Sequence, residues 1–174
     1  MKTNDFDSII LEESKRENEF ISKILEWSGY KGMELIYRGS RDGTTSDIFH
    51  NKCDNKGPTI ILFKNYKGNI YGGYCPISWN CNGGWQSVPE AFIFSLTNIY
   101  NIKPTKFNRI NDQYGICFGS SLGPWFGYSS NIGFQLDYSN ENNCYSNFGV
   151  KAGYQDSLGK GRSIFTGDLD NNNK

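Results

Sequence analysis

The sequence predicts a β-rich α+β domain: two packed antiparallel sheets in a β-sandwich, flanked by short helices. Three observations predict it. Short apolar and β-branched runs outnumber helical patterns. The connections between those runs are short, which favours antiparallel pairing. Asn, Gly and Tyr punctuate the whole length, as expected where turns are frequent. A chain of 174 residues is long enough for one sizeable core. Apolar residues are only 37%, but aromatics reach 16%, with 12 Phe, 11 Tyr and 4 Trp, and each buries a large area.

The first helix is read from Phe20, Ile21, Ile24, Leu25 and Trp27, whose spacing makes one apolar face. Ser14-Lys15-Arg16-Glu17 precedes it as a capping-box pattern, and Gly29 or Gly32 ends it. Met33–Arg38 alternates and is read as a strand. Gly39–Gly43 is a turn. Thr44 or Thr45 caps a second helix through about Cys53, with Ile48, Phe49, Lys52 and Cys53 along its buried edge. Asp54-Asn55-Lys56-Gly57-Pro58 stops it. A hairpin follows: Thr59–Lys64, a turn at Asn65–Asn69, and a return at Ile70–Tyr74. Gly72 and Gly73 inside the return predict a bulge or a close backbone approach. Phe92–Leu96, Ile116–Phe118 and Phe134–Leu136 are further strands. Gly119–Asn131 is a Gly- and Ser-rich loop carrying Pro124-Trp125-Phe126. By this reading residues 1–13 lead in, 14–167 form the domain, and 168–174 are a polar tail.

Composition also excludes classes. Eighteen basic residues balance eighteen acidic ones, so bulk attraction to nucleic acid or an anionic membrane is not expected. No run approaches the roughly 18 apolar residues of a membrane helix. The polar N-terminus has no apolar stretch behind it, so no signal peptide is expected. Five cysteines, an odd number at irregular spacing, fit reduced thiols in the cytoplasm better than a disulfide framework.

The motifs themselves carry a resemblance. Leu35-Ile36-Tyr37-Arg38-Gly39-Ser40-Arg41-Asp42-Gly43 is followed by Phe49-His50-Asn51-Lys52-Cys53-Asp54-Asn55-Lys56-Gly57-Pro58-Thr59. Then come Ile70-Tyr71-Gly72-Gly73-Tyr74 with Ser78-Trp79, Ala91-Phe92-Ile93-Phe94-Ser95-Leu96, and Gly123-Pro124-Trp125-Phe126-Gly127. This ordered set resembles the TLDc domain of the oxidation-resistance proteins. The resemblance implies a two-sheet sandwich with short helices and a role in protection from oxidative stress. It also implies binding or regulation of the vacuolar proton pump, the V-ATPase; no enzymatic mechanism is established for that family, and a non-enzymatic interaction domain is the expectation. The closing strand usual in that family has no match in Asp168–Lys174, which would leave one sheet an unpaired edge.

Several residues are candidates for chemistry or docking. His50 and Cys53, at i and i+3 of a helix, share a face, and an adjacent imidazole can activate a thiol. The preferred alternative is structural, with His50 orienting the helix end and Cys53 packed as a small apolar group. Arg38, Arg41, Asp42 and Asp54 are read as a network pinning the corner, with Gly43 in a tight turn. Gly57, Gly72 and Gly73 are packing positions, since no phosphate-loop pattern accompanies them. Cys75-x5-Cys81 lacks zinc-site spacing, so no metal and no cofactor is expected. Asp168-x-Asp170-x-Asn172 opens like a calcium loop but lacks its later ligands. Trp79, Trp85, Trp125 and Tyr128, in Gly-rich loops, are the candidate anchors for a protein partner.

Overall fold

The computed structural model describes residues 8–110, 115–127, 132–133 and 153–168. Two four-stranded antiparallel sheets form the frame. The first has the order β1-β2-β4-β5, from Thr59–Lys64, Ile70–Cys75, Phe92–Thr97 and Thr105–Asn108. The second has the order β3-β6-β7-β8, from Trp85–Gln86, Ile116–Cys117, Trp125–Phe126 and Ile132–Gly133. The helices are α1 (Ile9–Glu12), α2 (Glu17–Ser28), α3 (Gly39–Asp42), α4 (Ser46–Cys53) and α5 (Ser163–Thr166).

Two apolar clusters lie on opposite faces of the first sheet. Successive strand side chains alternate faces, so one set from β1, β2 and β4 meets α1 and α2, and the other meets the second sheet. Ile70, Tyr74, Phe92, Phe94 and Leu96 pack with Leu11, Phe20 and Ile24. Phe63, Tyr71, Cys75 and Ile93 pack with Trp79, Ile116, Phe118 and Phe126. Strand β2 is therefore buried along its whole length. Each fully buried large side chain adds roughly 1.5–3 kcal/mol of transfer free energy. Leu11, inside the lead-in segment, is 1% exposed and belongs to this packed body.

Glycine makes both close approaches in β2. A Cβ on Gly73 would meet three ring atoms of Phe126 in β7 at 2.7–2.8 Å, and one on Gly72 would collide with the Ile61 carbonyl. The close-approach reading holds; the register shift lies instead at Ile70/Tyr71, opposite β4.

The hairpin, the β4 strand and both main helices form as expected, with Gly29 left-handed at the end of α2 and Thr45 capping α4, whose buried edge is however Ser46, Phe49, His50 and Cys53, with Lys52 exposed. Four expectations are corrected. Met33–Arg38 joins no sheet. Its alternation reflects a crossing between layers, with Met33 packed on one cluster and Ile36 and Tyr37 on the other. The capping box does not form, because Ser14 Oγ closes the preceding turn by donating to Leu11 O, and α2 begins only at Glu17. Gly39–Asp42 is a single helical turn. Gly119–Asn131 contains β7, and none of β3, β5 and β8 is foreseen from the sequence. Phe134–Leu136 lies outside the described residues.

Candidate functional site

Helix α4 presents Ser46, Phe49, His50 and Cys53 inward, a repeat of three and four residues that puts them on one buried face. Asp54 leaves the helix in an extended conformation, and its N–H donates to His50 O at 3.0 Å. The chain then runs beside the loop after β2. Asn55 N donates to Trp79 O at 3.1 Å and Gly57 N to Ser78 Oγ at 2.9 Å. Gly57, at φ +83°, occupies the left-handed region that this bend requires.

His50 is the hub of this corner. The residue is 7% exposed. Nδ1 lies 2.7 Å from Asp54 Oδ1. Nε2 lies 3.0 Å from both Gly119 O and Leu122 O. Carbonyl oxygens only accept, so Nε2 carries a proton and donates to both. Gly119 and Leu122 bound a β-turn in the second sheet's β6–β7 connection, closed by Leu122 N to Gly119 O at 2.9 Å. The ring thus fastens α4 to the second sheet. Cys81 adds an exposed thiol, whose Sγ is 3.3 Å from Asp54 Oδ2.

Cys53 does not share in this network: the His50 ring bonds to Asp54, Gly119 and Leu122. The Cys53 thiol is 2% exposed and is pushed up to about 12 by burial first, then by the Asp54 and Asp42 carboxylates. Burial and nearby anions both disfavour the thiolate. Burial also pushes the Cys75 thiol up to about 12.

The Asp42 corner is a second polar knot. Asp42 accepts from Arg38 N at 2.9 Å and takes both Arg41 Nε and a second guanidinium nitrogen, at 2.9 and 2.8 Å. Arg41 first and the Arg38 amide second hold its carboxyl far below the usual range. Tyr37 Oη donates to Gly43 O at 2.7 Å. Gly43 has φ +112°, and a Cβ there would meet Ile48 at 2.6 Å. Asp54 pairs with His50 and Cys81, so it serves a different knot from Asp42.

Trp79 is fully buried, its Nε1 donating to Thr59 Oγ1 at 2.8 Å among Phe49, Phe118 and Phe126. It is a core pillar and offers no surface to a partner. Trp85 and Trp125 do come together: both pair with Cys117 across the second sheet, and their half-buried rings meet edge to face at 5.8 Å. Tyr128 lies outside the described residues. Sequence reasoning misses Gly119 and Leu122, and weighs Cys81 only as a partner of Cys75, not of His50 and Asp54. The i, i+4 relation of His50 and Asp54 was a usable signal; Cys81, in an Asn- and Gly-rich loop, gave none.

The frame and its corner define a two-sheet antiparallel sandwich in which a helix-borne histidine locks α4 to the second sheet's β6–β7 loop. Residues 4–165 match the TLDc domain, and the chain belongs to that family. It is also 27% identical over 77 residues to the MTOR-associated protein MEAK7 of Danio rerio, a match covering 44% of this chain and 17% of that relative. The chain therefore corresponds to a small part of that relative's length. No helix among the described residues is long and apolar enough to cross a membrane.

Proposed function

We propose that this chain is a non-enzymatic interaction module, acting in the cytoplasm in resistance to oxidative stress by docking onto the vacuolar proton pump. Membership in the TLDc family supports the reading, and so does a relative whose name records association with another protein. The observation that carries it is the use made of the reactive side chains. His50 is engaged through both ring nitrogens in holding the fold, and Cys53 is sealed in the core as a protonated thiol. The Trp85–Trp125 pair supplies large rigid area on the second sheet, the residue type that dominates interface energetics.

The test is co-purification of the wild-type chain with pump subunits from cells under peroxide stress, beside a Trp85→Ala/Trp125→Ala double variant. Retention by the wild type and loss of at least tenfold in the variant is the expected result. Failure of pump subunits to co-purify, or recovery of mTOR in their place, overturns the assignment. The alternative enzymatic reading predicts rapid alkylation of Cys53 in the native chain at neutral pH.

A further inference from the structure

We propose that His50 Nδ1, the Asp54 carboxylate and Cys81 Sγ form a binding site for a divalent, borderline-soft cation of the zinc class. These three donor atoms lie within 4.8 Å of one another. They come from the end of α4 and from the loop after β2, which the Asp54–Trp79 bridge and the Asn55 N to Trp79 O bond hold side by side.

The decisive feature is the direction of the His50 ring. Donation from Nε2 to Gly119 O and Leu122 O fixes the proton on that nitrogen. In the neutral ring Nδ1 then presents a lone pair to Asp54 Oδ1 at 2.7 Å. Two acceptors so close require a positive centre between them, either a proton or a metal ion. A backbone carbonyl on the far nitrogen is also how metal-binding histidines are oriented and made more basic. The supporting shell is thus present, and the residue that needs it is 7% exposed.

The donor set chooses the ion class. Imidazole, carboxylate and thiolate together suit zinc, whereas calcium and magnesium take oxygen alone. Donor pairs on a tetrahedral zinc stand about 3.3 Å apart, from metal–ligand distances of about 2.0–2.3 Å. The Asp54 Oδ2 to Cys81 Sγ separation is 3.3 Å already. His50 Nδ1 faces the other carboxylate oxygen, Oδ1, at 2.7 Å, so a rotation of the Asp54 carboxylate must bring one oxygen between the imidazole and the thiol, which the 4.8 Å span of the three donors allows. On binding, the cation replaces the proton between His50 and Asp54, and that proton and the Cys81 thiol proton both pass to solvent. Cys81 is the exposed cysteine among those described, so water reaches the fourth position.

The experiment uses the whole chain in a Cys144→Ser background, stripped with chelator. Zinc affinity is measured by competition with a chromophoric chelator, and cobalt substitution reads the ligands by absorption. Expected are one bound equivalent, a thiolate-to-cobalt charge-transfer band, and a melting temperature that rises with zinc. Cys81→Ala, on an exposed loop, should keep the metal-free melting temperature, lose the band and weaken zinc binding at least tenfold. Asp54→Asn should weaken binding while leaving the band. Absence of binding by the parent chain at micromolar zinc, or equal affinity and an unchanged band in Cys81→Ala, overturns the site and leaves His50–Asp54 as a proton-bridged pair.

Discussion

Replacing Gly73 by alanine tests how the two sheets meet. The added Cβ would stand 2.7–2.8 Å from three ring atoms of Phe126, against about 3.5–4.0 Å for relaxed carbon contact. The ring must retreat by about 0.7–1.3 Å. It has no room to do so, because Phe126 is fully buried and packs edge-on against Trp79 at 6.0 Å between ring centres. Overpacking of this kind costs roughly 1–3 kcal/mol. Alanine's smaller backbone entropy loss offsets roughly 0.5–1 kcal/mol of it. A net loss of up to about 2.5 kcal/mol should lower the melting temperature by a few degrees, at about 2–4 °C per kcal/mol for a chain of this size. Urea unfolding of Gly73→Ala, Phe126→Leu and the double variant forms a cycle. Phe126→Leu alone should cost about 1–3 kcal/mol, and the double variant should lose less than the sum by at least about 0.5 kcal/mol. Simple additivity would refute the contact as the source of the cost.

Removing the His50 ring should be worse. His50→Ala strips a donor from two carbonyls and a partner from Asp54, and should cost about 2–4 kcal/mol in urea unfolding; a loss under about 0.5 kcal/mol would deny it the pinning role. In native alkylation mapped by mass spectrometry, Cys81 should react at least tenfold faster than Cys53, Cys75 and Cys117, which are buried; equal rates would contradict the sealed thiols. Alkaline stability has a defined sign. Burial pushes Cys75 and Tyr74 up to about 12, so both are protonated in the fold at pH values where the unfolded chain already ionises them. The stability they contribute is complete below about pH 9 and is lost as pH rises toward 12. Unfolding free energy measured over that range should fall with pH, and Cys75→Ala should flatten the fall. Asp42 gives the acid counterpart: its folded carboxyl is held low, so its contribution is present at neutral pH and lost below about pH 4. Asp42→Asn should lessen that acid slope.

Local pattern alone set a good part of this protein. The apolar stripe of α2, the Thr45 cap, the Thr59–Lys64 and Ile70–Tyr74 hairpin and the ordered motifs of the TLDc domain are all written in stretches of a few residues, where side-chain period and backbone preference act without help from afar. Tertiary structure decided the rest. Two-residue strands such as Trp85–Gln86 and Trp125–Phe126 have no period to read; they exist because a partner lies within hydrogen-bonding distance. Met33–Arg38 alternates like a strand, yet its apolar side chains find two different clusters and its backbone finds no ladder. The His50 corner depends on carbonyls 69 and 72 residues further along the chain and on a thiol in an unpatterned loop. Hydrogen bonds of that reach form only when the packed sheets bring the groups together, so no short window of the sequence contains them.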